Sequence, residues 1–222
     1  MGSGIITAFR EGGIWMLFIM AAQLFSLAII AERVFALYIV RRPNQKKAVM
    51  AFEKDIKSGN LDRVISQARS MGGSNPVAVV AQAGAQAAMD MGGKEEIQLK
   101  IDEVLLEEAS RIEKRTGFLA MLGNVGTLLG LLGTIVGLIR AFSSVGAASP
   151  VEKAALLSQG VSEAMYATAY GLIMALPALI MFSVLQSRAN ELSEDLSKAA
   201  LKIYIWLGFN YESVPVNKKK LS

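Results

Sequence analysis

Three uncharged, largely apolar blocks interrupt a chain that is otherwise polar and charged. They run from Gly12 to Ile30, from Gly117 to Ile139 and from Ala164 to Leu185. A helix needs about 20 apolar residues to cross the roughly 30 Å hydrocarbon core of a bilayer, and each block is long enough. The pattern therefore predicts three transmembrane helices. The first block lacks the basic region and the small-residue site of a cleavable signal peptide, so we expect it to remain in the membrane.

The segments outside these blocks are polar, rich in helix formers and divided by glycines. We expect helices at 44–58, 61–71 and 76–91, each ended by a glycine. No helix breaker follows Lys94 before the membrane, so we predict one helix over 94–142. An apolar stripe after the third block predicts that its helix continues as a packed extension: Leu192, Leu196, Ala199, Ile203 and Leu207. The fold class is therefore an all-α integral membrane protein with long cytoplasmic helical extensions.

The distribution of basic residues predicts the topology. Lysines and arginines follow the first block, precede the second and follow the third, whereas the segment between the second and third blocks has few. Because basic residues near span ends favour the cytoplasm, we expect the N-terminus outside and the C-terminus inside. The predicted organisation is an external N-terminus with helix 1 (1–40), a cytoplasmic helical domain (41–115), transmembrane helix 2 (116–142), an external loop (143–160), transmembrane helix 3 (161–187), and a cytoplasmic helix with a basic tail (188–222).

Three threonines lie inside the apolar blocks. Thr134 precedes the end of the second block, and Thr168 follows the start of the third. Because these spans run in opposite directions, both residues should lie at similar depth in the outer half of the bilayer. Thr127 shares a helix face with Thr134. A single threonine is explained by a bond to its own helix backbone, but a depth-matched pair favours a polar track through the membrane.

Glu163 stands at the outer end of the third predicted span. A carboxylate near a helix N-terminus is stabilised by the helix dipole and needs no function. It could equally attract ions at the mouth of a pore. On the sequence alone the two interpretations have equal standing, although the threonine pair nearby favours the second.

Small residues give the second and third spans faces for close packing. The second span carries Gly126, Gly130, Gly133 and Gly137, and the third carries Ala164, Ala167, Gly171, Ala175 and Ala178. Such spacing lets helices approach closely, without identifying the partner helix. Pro177 removes one backbone hydrogen bond in the third span and should bend it.

Composition excludes several kinds of chemistry. The chain has neither cysteine nor histidine, which removes disulfides, thiolate or imidazole metal sites and histidine catalysis. No nucleophile–base arrangement or phosphate loop is visible, so we expect no enzyme, no cofactor and no metal. The run Lys218–Lys220 favours a solvated tail near anionic lipid over nucleic-acid binding. No aspartate, lysine or arginine lies at the centre of a span, so proton conduction would need an acid from another chain.

The strings GLLGTIVGLIRAF and SEAMYATAYGLIMALPA, in the second and third spans, resemble the TolQ/ExbB/MotA family of proton-channel motor subunits. Three predicted spans resemble the ExbB/TolQ branch, since flagellar MotA-type stators have four. The resemblance implies a homopentamer around two copies of a single-span ExbD/TolR-like partner, each bringing a membrane aspartate. It assigns the ion pathway to Thr134, Thr168 and Glu163. Secondary pore or packing positions are Thr127, Gly130, Gly133, Gly137, Ala167, Gly171 and Pro177.

The function implied is a motor subunit that converts the proton motive force into mechanical work. TonB-type transport, Tol-Pal envelope maintenance and gliding motility all use such motors, so a TonB/TolA-like or motility effector is a further candidate partner. The resemblance places the chain in the inner membrane of a Gram-negative bacterium, with periplasmic outer segments. The alternative is a non-conducting membrane scaffold for envelope complexes. Sodium remains an alternative to the proton, because hydroxyl oxygens also coordinate sodium.

Overall fold

The computed structural model describes residues 13–41, 45–90, 93–146 and 149–210, and every element within these ranges is helical. The first helix, α1, is followed directly by a π-helical segment, Phe35–Val40. The α-helices are α1 (Gly13–Val34), α2 (Gln45–Lys57), α3 (Leu61–Met71), α4 (Pro76–Asp90), α5 (Lys94–Glu113), α6 (Thr116–Val145) and α7 (Pro150–Asn210). The predicted N-terminal segment before Gly13 and the basic tail after Asn210 lie outside the described residues.

Three stretches of helix are long and apolar enough to cross a membrane, which agrees with the three predicted spans. They lie within Ile14–Val40, Lys94–Val145 and Glu152–Phe209. The described residues divide into two compact units. One, the span unit, comprises the described parts of Met1–Val34 and Arg115–Gln186. The other, the insert unit, comprises the described parts of Phe35–Lys114 and Ser187–Ser222.

Within the insert unit, the predicted short helices and the apolar extension of the third span are confirmed. The helices α2, α3 and α4 match the predicted segments, and Gly59 and Gly72 end two of them with φ angles of 75° and 73°. Such left-handed backbone is readily adopted by glycine. All five residues of the apolar stripe on α7 are buried: Leu192, Leu196, Ala199, Ile203 and Leu207. The extension therefore packs within the chain.

The prediction of one uninterrupted helix over 94–142 is wrong. Helix α5 ends at Glu113 and α6 begins at Thr116, with Arg115 in the left-handed region at a φ of 66°. No glycine or proline marks this break. Instead, Arg115 Nη1 donates to both carboxylate oxygens of Glu32 on α1, each at 2.8 Å. A left-handed conformation costs an L-residue roughly 1–2 kcal/mol, and this exposed, solvent-screened contact offsets only part of that cost.

Much of the segment predicted as an external loop, 143–160, is helical. Helix α6 continues to Val145 and α7 already begins at Pro150. The backbone N–H and the hydroxyl of Ser149 both donate to Glu152 Oε2, at 3.1 and 2.6 Å. Serine before proline with a glutamate three residues on is the pattern of a capped helix start, in which the glutamate reaches back to the N-cap backbone. The Ser149–Glu152 sequence therefore carried a signal for this helix start.

Candidate functional site

Thr134 on α6 and Thr168 on α7, which the sequence predicts to lie at similar depth, are in direct contact. Their hydroxyl groups are hydrogen bonded to each other. Both are also within donating distance of the backbone carbonyl of Gly130, at 3.1 Å from Thr134 Oγ1 and 3.2 Å from Thr168 Oγ1. Thr134 Oγ1 lies 3.4 Å from the carbonyl oxygen of Ala164 as well. The two threonines thus form a single polar cluster, half-buried within the span unit.

The cluster can redistribute its protons without moving a helix. Each hydroxyl carries one proton and two lone pairs. The two protons have three kinds of acceptor within reach: the opposite hydroxyl, the Gly130 carbonyl and the Ala164 carbonyl. Either hydroxyl can therefore be the one that donates to its neighbour. The hydroxyl lone pairs that take part in none of these bonds can accept a hydrogen bond from another donor or coordinate a cation.

Close packing of small residues holds the two threonines together. A Cβ built on Gly130 would lie 3.1 Å from the carbonyl oxygen of Ala167 and 3.2 Å from the Cα atoms of Gly171 and Thr168. A Cβ on Gly171 would lie 2.6 Å from the carbonyl oxygen of Gly126. The small-residue faces of α6 and α7 thus meet each other within one chain. A larger side chain at this crossing would separate the helices and with them the hydroxyls.

Thr127 is not part of the cluster. Its hydroxyl donates to the carbonyl of Gly123 on its own helix, at 3.2 Å. This is the local back-bond that explains most threonines in membrane helices. Thr127 has no hydrogen bond to Thr134 or Thr168 in the described structure, although the sequence pattern places it on the same helix face as Thr134.

Glu163 forms an ion pair with Arg140 near the start of the polar cluster. Glu163 Oε1 lies 3.8 Å from Arg140 Nη1, and the two side chains are 27% and 60% exposed. A pair this long and this exposed contributes little to stability. Glu163 directly precedes Ala164, whose carbonyl faces Thr134, but in the described structure its carboxylate forms no hydrogen bond with either threonine. Its predicted role in the ion pathway stays a prediction, as do the pathway roles of both threonines.

The sequence reasoning overlooked Asn124. This residue is exposed on α6, three positions before Thr127 and therefore on the same helix face. A primary amide inside an apolar block is costly when it faces lipid, so Asn124 is better placed against water or a partner helix. The signal was visible as the amide side chain within the second uncharged block.

Pro177 lies inside α7, which continues through it, and its side chain is exposed. The predicted bend at this position stays a prediction. Among the described residues, no group of three or more acidic, cysteine or histidine side chains is arranged to hold a metal ion. The chemistry available at the site is therefore that of hydroxyls, backbone carbonyls and one carboxylate at the helix end.

Comparison with known proteins places these helices in a family. The sequence model of the MotA/TolQ/ExbB proton channel family matches residues 73–198, which is more than half of the chain. The biopolymer transport protein ExbB of Pseudomonas putida is 26% identical over 114 residues, covering 51% of this chain and 34% of that protein. The Tol-Pal system protein TolQ of Haemophilus influenzae is 28% identical over 88 residues, covering 40% of this chain and 38% of that protein. The chain thus matches little more than a third of the length of either relative.

Proposed function

Since this chain belongs to the MotA/TolQ/ExbB proton channel family, we propose that it is the channel-forming subunit of an ion-driven membrane motor. In this proposal the chain forms a homopentamer that surrounds a single-span partner of the ExbD/TolR type. The partner brings the membrane acid that the apolar blocks of this chain lack. The motor converts the proton motive force into mechanical work on the cell envelope, without enzyme chemistry or a bound cofactor.

The observation that carries the proposal is the hydroxyl cluster of Thr134, Thr168 and the Gly130 carbonyl. A scaffold needs only packed helices, and the small residues at the crossing of α6 and α7 are sufficient for that packing. Packing alone does not require two facing hydroxyls with unused lone pairs, whereas ion transfer does require such groups. A protonated partner carboxylic acid can donate to the cluster, and a carboxylate can accept from it.

We place the chain in the inner membrane of a Gram-negative bacterium as a multi-pass protein. Biopolymer transport of the TonB type, Tol-Pal maintenance and gliding-type motility are the candidate processes, with a TonB/TolA-like or motility effector downstream. In this proposal the insert unit lies in the cytoplasm, and the periplasmic segments include Ser149 and the start of α7. Nucleic acid plays no part in this proposal.

Reconstitution of the chain with and without its partner tests the proposal. The chain should be co-purified with a single-span protein encoded beside it and placed in liposomes under a pH gradient. We expect proton flux from the complex and none above background from the chain alone, because this chain supplies no acid at the membrane centre. The same liposomes under a sodium gradient distinguish the two ions. A complex that assembles stably yet conducts neither ion would favour the scaffold.

A further inference from the structure

An open groove runs between α4 and α5 in the insert unit. It encloses a cavity of about 590 Å³. Its floor is apolar and includes Val79, Ala83 and Leu99. The side chain of Leu99 is 70% exposed, so nothing in the described structure covers it. An apolar groove of this size on a polar helical unit is a place for another segment to bind.

The rim of the groove is acidic. Asp90, Glu96 and Glu103 all line it, against one lysine, Lys100. Lys100 is already paired with Glu103, at 2.6 Å. Among the described residues, Asp90 accepts hydrogen bonds from the neutral amide of Gln86, and neither Asp90 nor Glu96 forms an ion pair. The rim therefore favours an occupant that combines apolar side chains with positive charge.

The chain itself contains such a segment after the last described residue. Residues 211–222 read YESVPVNKKKLS, with apolar residues at Val214, Val216 and Leu221 and the basic run Lys218–Lys220. The proline at 215 favours an extended conformation for the residue before it, which suits a strand-like fit along a groove. Composition alone thus makes this segment complementary to both the floor and the rim.

The end of α7 contacts both helices that form the groove, at Gly84 and Ile101, which do not themselves line it. A Cβ built on Gly84 of α4 would meet the side chain of Leu207 at 2.9 Å and that of Ile101 at 3.0 Å. A Cβ built on Gly208 would lie 3.2 Å from the side chain of Lys94, two positions before Glu96. The chain therefore leaves the described structure next to the two helices that form the groove.

The segment is also long enough to cover the groove. From Asn210 to Lys218 an extended chain reaches up to roughly 26 Å, at about 3.3 Å per residue. From Glu96 to Glu103 the groove follows α5 for roughly 10 Å, at about 1.5 Å per residue. Val214 and Val216 can thus reach the floor while the lysines reach the acidic rim.

We propose that residues 211–222 bind in the groove between α4 and α5 of the same protomer. This assignment differs from a tail attracted to anionic lipid and is independent of the proposed motor function. Bound in the groove, the segment covers Leu99 and places its lysines against the carboxylates of the rim. The basic tail then belongs to the fold of the insert unit.

Disulfide trapping tests this placement, and the absence of native cysteines makes the experiment clean. The full chain in liposomes would carry Leu99→Cys with Val216→Cys. The matched control carries Leu106→Cys with Val216→Cys, because Leu106 lies on the same helix, is 72% exposed and is not among the residues that line the groove. Under mild oxidation we expect the Leu99 pair to close at least about tenfold faster than the control, since binding raises the local thiol concentration. Replacing Lys218, Lys219 and Lys220 with glutamate in the Leu99 pair should reduce its rate to that of the control.

The product and its lipid dependence identify the occupant. The expected product migrates as a monomer on denaturing gels, and its rate is the same in vesicles of phosphatidylcholine with or without phosphatidylglycerol. Equal rates for the two cysteine pairs would overturn the proposal, because a free tail reaches both positions. A disulfide-linked dimer would overturn it in favour of the tail of another copy. A rate that drops when phosphatidylglycerol is added would assign the tail to the membrane surface.

Discussion

Thr134 and Thr168 lie within donating distance of the same acceptor, the backbone carbonyl of Gly130, at 3.1 and 3.2 Å. They come from different helices, and they are hydrogen bonded to each other as well. One carbonyl thereby couples the hydroxyl of α6 to the hydroxyl of α7. Any change that separates the two helices breaks this arrangement, so the polar contact between the threonines depends on close packing at the crossing.

Substitution of the crossing glycines should therefore destabilise the span unit. Gly171→Ala places a methyl group 2.6 Å from the Gly126 carbonyl oxygen, closer than any real contact. Overpacking of this kind typically costs about 1–3 kcal/mol. We expect a lower midpoint of thermal unfolding in detergent for Gly171→Ala. The control is Gly117→Ala on α6, where a Cβ meets nothing within 4 Å. Equal midpoints for the two variants would mean that the helices are not as close as described.

Two substitutions of Arg115 should measure the free-energy cost of its left-handed backbone. Arg115→Ala removes the ion pair to Glu32 and keeps a side chain at a φ of 66°, whereas Arg115→Gly removes the ion pair and relieves the backbone. We expect Arg115→Gly to be the more stable of the two by about 1 kcal/mol. The measurement is chemical unfolding in detergent, with Glu32→Gln reporting the ion pair alone. If the alanine variant is as stable as the glycine variant, the left-handed conformation is not retained.

The role of the Glu163 carboxylate can be distinguished from that of its ion pair with Arg140 by substituting each residue in turn. Glu163→Gln and Arg140→Gln both break the contact at 3.8 Å, but only the first removes the carboxylate. We expect free energies of unfolding within about 1 kcal/mol of that of the native chain for both variants, as is usual for exposed pairs. Ion flux through the reconstituted complex should fall several-fold for Glu163→Gln only. A similar loss in both variants would assign the effect to the ion pair and leave the carboxylate without a role at the pore mouth.

The oligomeric state should depend on the apolar faces of α6 and α7 that no other part of the same chain covers. Helix α6 exposes Leu128, Leu131 and Ile135, and α7 exposes Met165 and Leu176, even though the small-residue faces are already paired within the chain. We expect five copies by native mass spectrometry in detergent, with α6 and α7 around a central lumen and α1 facing lipid. A stable monomer or dimer as the sole species would contradict the pentamer.

Much of the helical framework was predictable because it depends on local patterns. Uncharged blocks of sufficient length mark the spans, and regular spacing marks the buried stripe that includes Leu196 and Ile203. The similar depth of Thr134 and Thr168 also followed from their positions in antiparallel spans, whereas their direct contact did not. The start of α7 was predictable too, since Ser149 and Glu152 carry a capping pattern, but it was overlooked.

The remaining features depend on contacts between distant parts of the chain. The break at Arg115 has no local breaker and is associated with Glu32, far away in sequence. The shared carbonyl of Gly130 depends on how closely α6 and α7 cross, to within a few tenths of an ångström. Spacing can show that small residues face inwards, but it does not give that distance. The same holds for the groove between α4 and α5, which exists only once both helices have packed.

Proton flux through the reconstituted complex with Thr168→Val tests the central claim most directly. Valine has nearly the shape of threonine but lacks the hydroxyl, and a hydrogen bond between membrane helices contributes on average only about 0.6 kcal/mol, so the complex should still assemble. We predict that Thr168→Val and Thr134→Val reduce flux at least about tenfold with unchanged assembly, whereas Thr127→Val, whose hydroxyl bonds only its own helix, leaves most of it. Thr168→Ser should retain flux because it keeps the hydroxyl. Native flux in both Thr134→Val and Thr168→Val would contradict the account, because the hydroxyl cluster would then serve packing alone.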